Sequence, residues 1–350
     1  MIKMNKKKVL VVIGGQSTEH SVSRVSGSSV YRELNKDKYE MTICGIDLEG
    51  QWYILDKEIK DYSKENWLDN ASKVIDIFGF IKSFDVIFPV LHGLYGEDGT
   101  VQGLFELAGV PYVGCRVLAS SVSMDKIYTK MVFERAGIPQ TPSVYVKKRY
   151  DGKIVLVTKE FEEIEDFADI IEKELGFPCF IKPSNSGSSV GVCKAKSKEE
   201  LMEKLEFATQ FDRKILVEKN INCIELETAV LGNDDIKVSA VGQIMPHGEF
   251  YTFESKYQDA ESKTCIPALV DEEIQKTIQK LAVRAFKSVD GHGLSRVDFF
   301  LDKDTGDLYL NEINTLPGFT SISMYPQLWM YMGYSYSELL DELIELAFDR

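Results

Sequence analysis

The apolar positions of this chain fall into short continuous runs separated by stretches of helical period. Lys8–Ile13, Tyr39–Ile46 and Phe84–Leu91 read as buried strands, and Val101–Ala108 as an amphipathic helix. Strands alternating with helices predict an open α/β unit over roughly the first 115 residues. Beyond it the pattern predicts a helix over Val117–Ala136 ending at Gly137, and an extended segment over Ile138–Val146. An exposed charged loop is expected over 147–160, then a helix over Phe161–Leu175 stopped by Gly176 and Pro178. Cys179–Lys182 and Ile215–Ile221 read as strands, Asp271–Val289 and Ser335–Phe348 as amphipathic helices. Leu294–Leu301 and Leu308–Ile313 flank an Asp/Gly-rich turn and predict a β-hairpin. The stretch 50–82 is aromatic and charged without a clear period, and it suggests no chemical role.

The hairpin carries the first candidate chemistry. Side chains alternate faces along a strand, so Arg296 and Asp298 share one face, as do Glu312 and Asn314. If the register turns both pairs the same way, two carboxylates and an amide oxygen converge beside a guanidinium. Such a set suits a hard cation such as magnesium; the alternative is a solvated acidic face. The loop that follows, Thr315–Ser321, is hydroxyl-rich and contains Gly318, so it can present backbone N–H groups to an anion.

Other candidates lie at strand ends. Gly14-Gly15 leave the first strand, and Ser17 or Thr18 can cap the next helix. The segment matches neither G-x-G-x-x-G nor the Walker pattern. Glu19 sits in the expected first helical turn, where it either complements the dipole or holds an ammonium group; His20 beside it reads as a surface or core histidine. His92 follows a buried strand among glycines, and is either a site residue or a hydrogen-bonded structural one. Lys182 ends a strand before the turn Ser184–Val190, whose small residues let backbone approach a phosphate. Phe250–Tyr257 leaves a strand, and the polar stretch that follows to Lys263, opened by Lys256-Tyr257 and closed at Pro267, reads as a lid.

Composition narrows the class. In 350 residues there is room for two or three cores, and a net charge of −14 argues against broad binding to a nucleic-acid backbone. No apolar run approaches the ~20 residues of a membrane helix. The N-terminal MIKMNKKKVLVVIGG is too short in its apolar part for a signal peptide and reads as the first strand. The 6 cysteines form no C-x-x-C pair and are expected to be reduced, in a cytoplasmic protein.

In order along the chain stand GGQSTEHSVS, LHGLYGEDGTVQG, SMDK, IKPSNSGSSVGV, LVEK, ESKY, SRVDFF and NEINTLPGFTSISMYP. Together they resemble the D-alanine–D-alanine ligases of the ATP-grasp superfamily. The resemblance implies an α/β, three-domain ATP-grasp ligase: an N-terminal open α/β substrate domain (1–118), and two α+β domains enclosing ATP (119–216 and 217–350). It implies that ATP drives formation of D-alanyl-D-alanine through a D-alanyl phosphate, for peptidoglycan precursors. The implied nucleotide-binding residues are Lys126, Lys182, Ser186, Ser189, Glu218, Lys219, Ile221 and Glu225. Of these, Lys126 and Lys182 meet phosphates, Glu218 and Ile221 the adenine, and Glu225 the ribose. Asp298, Glu312 and Asn314 would hold two magnesium ions, with manganese as a substitute. Glu19 would take the first ammonium; Arg296 and the Gly318 amide would face the reacting oxygen. Glu19, Ser188 and Tyr257 would close the lid as a hydrogen-bonded set. His92, Lys256, Ser323, Met324 and Tyr251 would bind the amino-acid substrates. Related ligases accept D-serine or D-lactate second. The D-serine type usually carries Arg where Met324 stands and often Phe where Tyr251 stands, and the D-lactate type lacks Lys256-Tyr257. These differences favour D-alanine, with a D-alanine–D-serine ligase as the alternative. A homodimer working on small molecules, without nucleic acid or membrane, completes the expectation.

Overall fold

The structure is a computed structural model that describes residues 6–59, 61–245 and 263–349. It contains three sheets. The first has the spatial order Ser72–Lys73, Trp52–Ile54, Tyr39–Ile46, Lys7–Gly14, Val86–Pro89. Lys7–Gly14 pairs in parallel with Tyr39–Ile46 on one side and Val86–Pro89 on the other. A strand enclosed on both faces has no solvated side, which is why Val9 to Ile13 are continuously apolar and fully buried.

The second sheet is antiparallel, in the order Cys193–Ala195, Cys179–Pro183, Lys214–Lys219, Ser143–Lys148, Ile154–Val157, Glu163–Ile164. The third, also antiparallel, runs Lys263–Cys265, Lys237–Met245, Cys223–Gly232, Gly293–Asp302, Leu308–Asn314. Lys214–Lys219 runs across the expected 216/217 boundary and pairs wholly within the second sheet. The helix Glu272–Ser288 buries Ile278, Leu281, Ala282, Ala285 and Phe286, packing this apolar stripe on the third sheet. The C-terminal helix Tyr336–Phe348 turns back to the first sheet. Its Leu339, Leu340, Leu343 and Ile344 share one core with Val9, Val11, Ile13 and Phe88. The first strand and the last helix are thereby joined, and Ser335 and Glu338 close a capping box at that helix's start.

Several elements differ from the pattern-based expectation. The helix expected over Val117–Ala136 is two, Val117–Met124 and Lys126–Arg135, broken at Asp125. Asp125 has extended dihedrals and accepts from the N–H groups of Ile127 and Tyr128, so a local cap competes successfully with helix continuation. The expected loop 147–160 contains the buried strand Ile154–Val157, hidden in the sequence by its charged flanks. The expected helix from Phe161 begins only at Ala168, because Ile164 pairs with Leu156. Ser17 and Thr18 do not cap the first helix; Glu19 is its N-cap residue, and the Ser17 hydroxyl accepts from Glu19 N and donates to His92 O. The stretch 50–82 supplies Trp52, Tyr62 and Trp67 to the cores.

Candidate active site

One cavity of about 1390 Å³ opens where the three sheets meet. Glu19 and His92 reach it from the first sheet's strand ends. Lys126, Lys182, Ser186, Ser188, Ser189, Glu218 and Lys219 reach it from the second sheet and its helix. Ile221, Glu225, Arg296, Glu312, Asn314, Gly318, Ser323 and Met324 reach it from the third. Tyr251, Lys256 and Tyr257 lie outside the described residues.

The third sheet's hairpin register answers the question that the alternation left open. Arg296 is opposite Asn314, and Asp298 is opposite Glu312. Asp298 does not line the cavity, however. Its two oxygens accept from Arg296 Nε at 2.7 Å and Nη2 at 2.6 Å. Arg296 also lies 3.0 Å from Glu227 Oε2. Burial opposes the guanidinium's charge, but Asp298 and Glu227 outweigh it and hold the arginine pKa well above its ordinary value. Asn314 Oδ1 accepts from Leu316 N at 3.0 Å, which leaves its second lone pair open. Among the described residues no three His, Cys, Asp or Glu side chains gather as a ready metal-ligating group. Glu312 and the Asn314 amide oxygen are nevertheless donors of the kind a hard cation takes, and Asp298 stands opposite Glu312 with both oxygens on Arg296.

The second sheet supplies cations and a tight loop. Lys126 Nζ donates to Ser186 O at 2.7 Å. Ser188 and Ser189 hold left-handed φ of 47° and 62°, a strained pair of the sort kept where the surroundings require it. Ser188 Oγ donates to Glu19 Oε1, joining the loop to the first sheet's helix. The approach is close: a Cβ at Gly93 (φ 74°) or at Gly187 would stand 2.6 Å from Glu19 Oε2. Glu218 is 2% exposed and takes Lys182 Nζ at 2.5 Å and Lys130 Nζ at 2.9 Å. Burial alone would raise its pKa; Lys130 and Lys182 overcome that and hold it at about 2.

That last shift has a testable sign. A carboxyl depressed from 4.5 to about 2 contributes stability above its unfolded value and loses it as pH falls toward its folded value. The full contribution is about 3 kcal/mol. Urea unfolding of the unaltered chain and of Glu218→Gln should show a stability gap that narrows as pH falls from about 5 toward about 2. A gap independent of pH would contradict the assigned charge.

At the first sheet's end, His92 is buried, with Nδ1 3.2 Å from Leu316 O and Nε2 3.1 Å from Ser26 Oγ. Glu97 lies 3.7 Å from His92 Nδ1; burial pushes its carboxyl up, His92 partly offsets this, and Glu19 adds to the rise. His20 is structural, with Nδ1 2.8 Å from Gly15 O and its ring edge-on to Trp67. Gly318 is tightly placed: a Cβ there would stand 2.8 Å from Ser323 Oγ. That hydroxyl accepts from Thr320 N at 3.0 Å. Met324 is 5% exposed, and its sulfur lies over Gly242.

Pattern reasoning missed Glu97, Lys130 and Glu227. Two of them had signals: Glu227 shares a strand face with Glu225, and Lys130 stands one helical turn from Lys126.

Comparison with known proteins agrees in extent. The family described as D-ala D-ala ligase N-terminus matches residues 8–115, and that described as D-ala D-ala ligase C-terminus matches 132–345. A D-alanine–D-alanine ligase of Clostridium acetobutylicum is 50% identical, covering 99% of both chains. One from Acetivibrio thermocellus is 48% identical over 99% of this chain and 97% of its own. Among solved structures, the D-alanine–D-alanine ligase of Coxiella burnetii matches with a TM-score of 0.86 at 34% identity, covering 99% of this chain and 95% of that one. The VanG D-Ala:D-Ser ligase of Enterococcus faecalis matches at 0.85 and 37%, covering 98% and 100%.

Proposed function

The chain belongs to the D-alanine–D-alanine ligase family, and we propose from that premise how its cavity works. It is an ATP-dependent ligase that joins two D-alanines into D-alanyl-D-alanine, a peptidoglycan precursor. The observation that supports the site assignment is that Glu19, at the start of the helix that follows the first sheet's Lys7–Gly14, Lys182 of the second sheet and Arg296 of the third line one cavity.

In this reading Glu218, Lys219 and Ile221 border the adenine, Glu225 the ribose, and Lys126 and Lys182 the phosphates. The Ser186–Val190 loop covers the phosphates, with Ser186 and Ser189 against the nucleotide. Asp298, Glu312 and Asn314 would hold the divalent metal, two magnesium ions with manganese as substitute; bound there, the metal neutralises charge that develops on the phosphates. Glu19 holds the ammonium of the first D-alanine, whose carboxylate attacks the γ-phosphate to give an acyl phosphate and ADP. The second amine then attacks the acyl carbon, and phosphate leaves. Arg296 and the Gly318 amide donate to the tetrahedral oxyanion. Ser323 receives the second carboxylate, with His92 supporting the Leu316–Phe319 backbone. Ser188 anchors the loop on Glu19, keeping water from the acyl phosphate. Lys256, Tyr251 and Tyr257 retain their expected roles at the second amino acid and the lid.

The buried thioether of Met324 gives the second pocket an apolar wall that offers a hydroxyl no strong partner. This supports D-alanine over D-serine. Among the described residues no helix is long and apolar enough to cross a membrane; a cytoplasmic homodimer is the family arrangement we infer. The deciding experiment is phosphate release from ATP and magnesium, with D-serine or D-lactate offered beside D-alanine and products identified by mass. D-alanyl-D-alanine should dominate. Dominant D-alanyl-D-serine would overturn the specificity assignment but leave the chemistry, and no D-alanine-dependent release would overturn both.

A further inference from the structure

Among the described residues, Lys130 is the cation paired with Glu218 that does not line the cavity. Lys126, Lys182, Glu218 and Glu312 line both the cavity and a small recess behind it, whereas Lys130 lines only the recess. Its side chain therefore stands off the lining of the cavity read as the nucleotide site. Its Nζ is held by Glu218 Oε1 at 2.9 Å and by Thr141 O at 3.0 Å. Lys182 takes the other oxygen of Glu218, Oε2, at 2.5 Å. The two lysines thus occupy different oxygens of a carboxylate that is 2% exposed.

This arrangement resolves a conflict in the role of Lys182. As the Lys182 ammonium shifts toward a phosphate it loosens its hold on Glu218, and a buried carboxylate left without a cation is strongly disfavoured. We propose that Lys130 is a positioning residue that keeps Glu218 paired while Lys182 moves from Glu218 to a nucleotide phosphate. With Lys130 in place, the departure of Lys182 leaves one carboxylate and one ammonium behind. Without Lys130, Glu218 retains Lys182 and the phosphate loses a contact.

The proposal rests on reading the cavity as the nucleotide site. Its test compares ADP, which carries phosphates, with adenosine, which does not, by titration calorimetry. Lys130→Met should weaken ADP about tenfold while adenosine changes less than about twofold. Lys130→Arg should restore the ADP-to-adenosine ratio, since it returns a buried cation. Lys130→Gln keeps a donor without charge; it should behave as Lys130→Met and serves if that variant fails to fold. Equal weakening of ADP and adenosine, or unchanged ADP affinity in a folded charge-free variant, would overturn the role of Lys130. Failure of the unaltered protein to bind ADP would instead overturn the nucleotide site itself.

Discussion

Arg296→Lys should lower kcat by about 10²–10³, with the KM for ATP nearly unchanged. Arg296 sends two parallel donors to Asp298 on its own strand and stands 3.0 Å from Glu227 on the neighbouring one, so its plane is fixed by two carboxylates. Lysine keeps the charge but offers a point in place of a fork, and its ammonium cannot satisfy both acids and still face an oxyanion. Arg296 contributes at the acyl-transfer step, after ATP is bound, so the loss should fall on turnover. Lysine is the informative replacement. Arg296→Met would leave Asp298 and Glu227 buried without their cation, costing roughly 3–5 kcal/mol of stability and confusing a catalytic loss with unfolding. Steady-state phosphate release at saturating D-alanine, with thermal melting as control, measures the effect. A kcat within about threefold of the unaltered enzyme would remove Arg296 from the oxyanion site.

The same residue shows what a sequence can and cannot carry. The period of a strand placed Arg296 with Asp298 and Glu312 with Asn314, and the hairpin register turns both pairs to one side. What alternation cannot encode is side-chain rotation. Asp298 turns both oxygens onto Arg296 and does not line the cavity, whose acidic wall on this sheet includes Glu225, Glu227 and Glu312. The break at Asp125 is a different failure. An Asp before a lysine-led helix is an ordinary capping signal, but the apolar period on both sides was stronger than the cap in the pattern. Contacts such as Ser188 with Glu19 join residues far apart in sequence and carry no local signature; the resemblance to a family supplied that pairing, and composition and period could not.

Glu19 and Ser188 form the second site where a large effect is expected, and the two variants should separate binding from closure. Glu19→Gln should raise the KM for the first D-alanine by about 10–100-fold, the worth of a hydrogen bond to a charged group. Glutamine keeps an acceptor for the Ser188 hydroxyl, so the loop anchor persists and only the charge offered to the ammonium is lost. Glu97 is not placed to substitute: its carboxylate accepts from Gly93 N and lies against His92. Ser188→Ala has the opposite consequence. It leaves the Glu19 carboxylate for the ammonium but removes the contact that ties the strained Ser188-Ser189 turn to the first sheet's helix. Turnover should then fall more than D-alanine affinity, and part of the ATP consumed should appear as phosphate without dipeptide, because water reaches the acyl phosphate. Dipeptide yield per phosphate released, measured for both variants, tells them apart. A full yield in Glu19→Gln with a reduced yield in Ser188→Ala assigns charge recognition to one and water exclusion to the other. Equal yields with equal KM shifts would mean that the pair acts only as a structural tie between the loop and the helix.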